Sequence, residues 1–274
     1  MASWTVPDRP PVRKAAVLGQ PIAHSRSPQL HLAAYRALGL IDWTYERIEC
    51  SAADLPPLVD SLGPEWVGLS VTMPGKFAAL RHATEHTQRA ELVGSANTLV
   101  RTTAGWRADN TDVDGVAGAI GEPVAGRAVL LGSGGTAPAA LVGLAQLGAG
   151  HVTVAARDPE KASRLLELAT AVGIDASYSP LDGDALARQV SRAAVVVSTI
   201  PADAAAGLAT AMAGAPLLLD AIYEPWPTPL AQAVSAAGGR VVGGLQMLLH
   251  QAFAQVEQFT GRPAPRAQMA AVLD

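Results

Sequence analysis

The chain holds one cysteine, Cys50, so no disulfide can close within it, which suits a reducing compartment. It has no basic run, and its net charge of −4 offers a surface neither to nucleic acid nor to an anionic membrane. Long hydrophobic runs are missing too. The longest, residues 193–197 and 215–219, fall well short of the ~18 residues of a membrane span. Residues 1–18 carry Pro7, Pro10, Pro11 and charges where a signal peptide needs an apolar core. These absences predict a cytoplasmic protein with no nucleic-acid or membrane partner. Charge is scarce at 16%, against 49% hydrophobic residues, which excludes a disordered chain. The 274 residues predict one or two domains.

Turn formers, by contrast, are plentiful. The 26 glycines and 20 prolines punctuate many short elements. In the first half, residues 15–18, 42–50 and 66–72 read as strands, and residues 97–101 and 106–109 as a hairpin turned near Gly105. Ser27-Pro28 opens a helix with Ser27 as the expected cap, and Gly39 ends it. In the second half apolar strands (128–131, 151–156, 194–199, 217–221) alternate with helices (137–147, 159–171, 202–213, 229–237). That is the pattern of a parallel sheet covered on both faces. A strong helix over 245–259 closes the chain. The change of rhythm near Asp112 predicts two α/β domains.

Three stretches carry chemistry. Gly132, Ser133, Gly134, Gly135, Thr136 and Ala137 fit G-x-G-x-x-A between a strand and a helix, the context of a dinucleotide pyrophosphate site. The next strand ends at Ala156-Arg157-Asp158, with no acid at its tip. Arg157 and Lys161 can meet a ribose 2′-phosphate, which favours NADP over NAD. Asp158 is expected as the N-cap of the following helix. Ser25 and Ser27 stand at a helix N-terminus, where a carboxylate would be attracted. His24 beside them is expected to be a hydrogen-bonded structural histidine.

Lys76 starts a helix, where the dipole disfavours a cation and so suits it to proton transfer. Asp112 opens another, and a Lys–Asp pair about a hydroxyl is a workable relay, although spacing does not bring the two together. Gly244, Met247 and Gln251 share one helix face. His82 and His86, four apart on an expected helix, lack further ligands, and no metal site is expected. Cys50 reads as a packed strand-end residue.

Seven segments, in order, resemble the shikimate dehydrogenase family over essentially the whole chain: 19–28 (GQPIAHSRSP), 70–76 (SVTMPGK), 94–99 (GSANTL), 109–115 (DNTDVDG), 132–137 (GSGGTA), 220–230 (DAIYEPWPTPL) and 243–261 (GGLQMLLHQAFAQVEQFTG). The resemblance implies reversible reduction of 3-dehydroshikimate to shikimate with NADPH, on the path to chorismate and the aromatic amino acids. It makes Lys76 and Asp112 the catalytic pair. Ser25, Ser27, Thr72, Asn97, Tyr223 and Gln251 become substrate ligands. Gly132 to Thr136, Ala156, Arg157, Lys161, Ala221, Gly244 and Met247 become the cofactor site.

The resemblance also implies a substrate domain of residues 1–111 plus 245–274 and a doubly wound, Rossmann-type cofactor domain of residues 112–244. A homodimer is admitted, not required. The family commonly has Asn at Ser70 and Asn-Arg-Thr at 156–158, so Ser70 is expected to be a weaker ligand or none, and the strength of NADP preference stays open. The alternatives are an NAD-using quinate/shikimate dehydrogenase and a non-catalytic nucleotide-binding paralogue.

Overall fold

The computed structural model describes residues 12–273, so most of the stretch weighed as a signal peptide lies outside the described residues. The first sheet is built from β1 (Arg13–Gly19), β2 (Trp43–Glu49), β3 (Trp66–Val71), β4 (Glu85–His86), β5 (Thr98–Thr102) and β6 (Gly105–Asp109). Their order is β2-β1-β3-β5-β6-β4. β1 runs parallel to β2 and β3, while β5 and β6 form the expected antiparallel hairpin.

Alternation along β1 sends side chains to two cores. Ala15 and Val17 pack towards helices α1 (Ser27–Ala37), α12 (Gly244–Thr260) and α13 (Arg266–Ala270). Ala16 and Leu18 pack towards α2 (Leu55–Ser61) and α3 (Lys76–His82). A short α4 (Gln88–Val93) precedes the hairpin.

The second sheet is parallel throughout. It comprises β7 (Gly126–Leu131), β8 (Ala149–Ala156), β9 (Asp175–Pro180), β10 (Val195–Ser198), β11 (Leu217–Asp220) and β12 (Arg240–Gly243), in the order β12-β11-β10-β7-β8-β9. Helices α5 (Asp112–Ile120), α6 (Ala137–Gln146) and α7 (Pro159–Ala171) contribute to the core on one face. α8 (Gly183–Val190), α9 (Ala202–Ala205), α10 (Ala209–Met212) and α11 (Pro229–Ala236) cover the other. The molecule is thus a two-domain α/β protein with a doubly wound parallel sheet in its second domain.

Three expectations need correction. The helix predicted over 202–213 is broken into α9, a 3₁₀ turn at Ala206–Leu208 and α10. Gly207 falls in the 3₁₀ turn, and glycine is a poor helix interior residue. His82 ends α3 while His86 sits in β4, so they do not share a helix; they meet Asp60 and Glu91 instead. Arg26, not Ser27, is the residue before α1, and no side chain caps that helix.

The domains are joined by two adjacent helices. α5 leaves the first sheet for the second, and α12 returns. Gly115 and Gly118 let them cross closely: a Cβ at Gly115 would meet the Met247 carbonyl, and one at Gly118 the His250 ring. Among the described residues no helix is long and apolar enough to cross a membrane.

Candidate active site

The carboxyl ends of β1 and β3, the start of α1 and the face of α12 converge on one cavity of ≈ 170 Å³. That is below the ~300 Å³ of sites for drug-sized ligands, so a small molecule fits. Ser25, Ser27, Thr72, Lys76, Asn97, Asp112, Tyr223 and Gln251 all line it. So do Thr136, Ala221, Gly244 and Met247 from the expected cofactor set. Gly132, Ser133, Gly134, Gly135, Ala156, Arg157 and Lys161 lie outside this cavity, at the carboxyl ends of β7 and β8.

The two residues that spacing could not connect are in contact. Lys76 Nζ donates to Asp112 Oδ2 at 2.5 Å. Asp112 starts α5, where the helix dipole favours its charge. Its other oxygen accepts from Asn97 Nδ2 at 2.9 Å. Asn97 is fixed in turn, its Oδ1 accepting from the Thr111 N–H at 2.7 Å and from Thr98 Oγ1 at 2.7 Å. The loop that presents Asp112 is tied down by Arg89, which donates to Asp109 and to Asp114. Burial alone would raise the Asp109 carboxyl, but hydrogen bonds from Arg89, Thr87 and Gln258 reverse this and hold it below the usual range.

Elsewhere in the lining, Ser25 Oγ accepts from the Ser27 N–H at 3.3 Å. Both serines are buried, and α1 has no acid in its first turn. His24 is exposed at the rim, and none of the hydrogen bonds among the described residues uses its ring, contrary to the structural role expected of it. Tyr223 reaches in from the loop after β11. Burial and the neighbouring Glu224 raise its hydroxyl's pKa, and the guanidinium groups of Arg26 and Arg47 oppose the rise.

Sequence reasoning missed the floor of this cavity. Ser70 Oγ accepts from Tyr45 OH at 2.6 Å and donates to Gln255 Oε1 at 2.7 Å. Gln255 Nε2 donates to the Asn97 carbonyl and to Thr98 Oγ1, which fixes the amide's orientation. Gln255 Oε1 therefore also accepts from His31 Nε2, at 3.2 Å. His31 is stacked on Tyr45, and burial lowers its pKa to about 3. Ser70, discounted as a ligand, is thus a fixed part of the wall. One signal was available: Gln255 lies one helical turn beyond Gln251 on α12.

The loop after β7 fits a dinucleotide. Gly132 has φ +103°, and a Cβ there would meet Ile200 and Thr199 at 2.7 Å. At Gly134 and Gly135 a Cβ would meet nothing within 4 Å, so space lies open above that backbone. α6 follows with no acid in its first turn and no side-chain cap, an N-terminus suited to an anion. Asp158 is an N-cap, accepting from the N–H groups of Glu160 and Lys161. Its carboxylate is thereby occupied, and Arg157 stands exposed beside it. A Cβ at Gly244 would strike the Ala221 carbonyl, so only glycine lets these two walls meet.

Known proteins were compared with the chain on sequence and on fold. A family model described as the shikimate dehydrogenase substrate binding domain matches residues 17–99, and one described as the shikimate 5'-dehydrogenase C-terminal domain matches residues 244–273. The chain is 37% identical over 270 residues to the shikimate dehydrogenase (NADP(+)) of Anaeromyxobacter dehalogenans, covering 94% of both chains. The crystal structure of Mycobacterium tuberculosis shikimate dehydrogenase is 69% identical, with a TM-score of 0.93 over 95% of this chain and 98% of that one. The chain also matches 17% of the length of the pentafunctional AROM polypeptide of Candida tropicalis, at 33% identity.

Proposed function

The chain belongs to the shikimate dehydrogenase family, and from that premise we propose that it interconverts 3-dehydroshikimate and shikimate with NADP(H), as an oxidoreductase of the pathway to chorismate. The observation that carries the reading is the Lys76–Asp112 pair inside the cavity that also holds Ser25 and Ser27. In this reading the two serine hydroxyls donate to the substrate carboxylate at the start of α1. Thr72, Asn97, Tyr223 and Gln251 hold the ring hydroxyls and the carboxylate edge.

Asp112, oriented by Asn97, aims the Lys76 side chain at the reacting oxygen. In the reducing direction Lys76 Nζ gives a proton to the oxygen as the ketone becomes an alcohol; in the oxidising direction Nζ recovers it. NADP, when bound, supplies hydride chemistry at its nicotinamide. Gly132 to Thr136 would hold its pyrophosphate, Arg157 and Lys161 its 2′-phosphate beside Ala156, and Ala221, Gly244 and Met247 its nicotinamide. Residues 112–244 are then the cofactor domain, and residues 1–111 with 245–274 the substrate domain. The setting is cytoplasmic, with the enzyme a monomer or a homodimer.

The test is a spectrophotometric assay of cofactor reduction with shikimate and quinate, each against NADP and NAD. Shikimate with NADP should give the highest kcat/KM. A higher value for quinate with NAD would overturn the assignment.

A further inference from the structure

The carboxylate end of the cavity has a charge problem. Ser25 and Ser27 are neutral, and the one ammonium in the cavity, Lys76, is already paired with Asp112. A carboxylate brought in from water loses its hydration and needs a positive field in return. One guanidinium that bonds into the Ser25 turn stands on β2, a strand that none of the motifs includes. Arg47 donates through Nε and Nη2 to the same carbonyl oxygen, that of Ser25, at 2.9 and 2.6 Å. Among the described residues no carboxylate is ion-paired with Arg47. Its guanidinium also acts on the hydroxyl of Tyr223, which lines the same cavity from the other domain.

The two bonds to Ser25 do more than anchor a loop. The Ser25 N–H donates to the Ile22 carbonyl, and Ser25 Oγ accepts from the Ser27 N–H. With its acceptor side used inside the turn, the Ser25 hydroxyl proton is left to donate into the cavity. Arg47 holds the third polar group of that residue, its carbonyl, so the turn is fixed at every backbone and side-chain handle of Ser25. Arg26, the other nearby guanidinium, also acts on the Tyr223 hydroxyl, but its side chain donates to Gln29 and the Val272 carbonyl and makes no bond to the Ser25 carbonyl.

We propose that Arg47 is a positioning residue for the carboxylate subsite, locking the Ser25 turn and adding the uncompensated positive charge that makes the subsite select an anion. The proposal rests on the reading of the cavity as a shikimate site. It goes beyond that reading by assigning a residue that touches no substrate atom.

Arg47 lies on an exposed edge, so Arg47→Met and Arg47→Lys should fold as the wild type does, which thermal unfolding checks. Steady-state rates are measured with shikimate and with its neutral methyl ester, at low and high salt. Arg47→Met should raise KM for shikimate at least about tenfold, the scale of lost charge-assisted bonds, with kcat and KM for NADP within threefold. It should also shrink the preference for the acid over the ester and flatten the salt dependence of KM. Arg47→Lys should recover the salt dependence but only part of KM, because a point charge does not reproduce the two-bond clamp.

A KM within twofold of wild type in Arg47→Met, or an unchanged acid-to-ester preference, overturns the proposal. So does a parallel fall of kcat, cofactor affinity and melting temperature, the mark of a purely structural residue. Wild-type turnover separates the failures: no turnover of shikimate defeats the proposed function, whereas turnover with unaltered Arg47→Met kinetics defeats only the role of Arg47.

Discussion

The two walls of the site are made in opposite ways. On the substrate side, polar groups are buried and bonded to one another: Asn97 to Asp112, Ser70 to Gln255, Gln255 to His31. On the side proposed for the cofactor, the glycine loop lies under open space at Gly134 and Gly135, and Arg157 is exposed. A buried network presents fixed donors and acceptors and suits discrimination among similar rings. A bare backbone next to a helix N-terminus suits a phosphate group, whose recognition needs N–H groups more than shape. Errors on the first wall should therefore damage chemistry and folding, and errors on the second should damage cofactor affinity alone.

The largest contrast is expected from Lys76→Ala. Turnover should fall ~10²–10⁴-fold, the usual contribution of a positioned acid–base group, while KM for shikimate and for NADP stays within a few fold. A kcat near the wild-type value would remove Lys76 from the mechanism and with it the distinction between the walls.

A second contrast lies in pH. His31 is held neutral in the fold with a pKa of about 3, against an ordinary value of 6.5. The unfolded chain therefore binds a proton that the folded chain refuses. Stability from this group is complete above pH 6.5 and is lost as pH falls towards 3. In the middle of that window the wild-type unfolding free energy should drop by about 1.4 kcal/mol more per pH unit than that of His31→Phe. Urea unfolding at pH 5.5 and 4.5 measures this, and equal slopes would mean that the network beneath the cavity is not closed to protons.

The smallest effect is expected on the open wall. Arg157→Gln should raise KM for NADP about tenfold, the loss of one charge-assisted contact, and leave KM for NAD and the melting temperature unchanged. Equal changes with both cofactors would move the 2′-phosphate contact elsewhere.

What the sequence made legible follows the range of the interactions. The glycine loop, the Asp158 cap and the β5–β6 hairpin are local and were readable from a few residues each. β9 and β12 were not foreseen. β9 is half exposed at one edge of its sheet, and β12 is a four-residue edge strand, so neither carries the apolar run that marked their neighbours. Ser27 was misread as a cap because serine before proline is a common helix start. Here Ser25 takes the Ser27 N–H, and the helix begins one residue earlier than a cap at Ser27 requires. The Tyr45–Ser70–Gln255 chain was out of reach for another reason: its members stand on a strand edge, a strand end and the last long helix, and only the fold brings them together.

The crossing of α5 and α12 sets an order of events as the chain emerges during synthesis. The second sheet closes within a contiguous stretch, Gly126–Leu131 to Arg240–Gly243, and needs nothing that comes later for its strand pairing. The first sheet does need something later. Phe259 packs over Gly68, and Gln255 bonds Ser70 across 185 residues of chain. Contacts so far apart pay a large loop-closure entropy unless the intervening chain is already compact. The domain that starts first is thus finished last, and its pocket acquires a floor only after the second sheet has brought the two ends of its own sequence together.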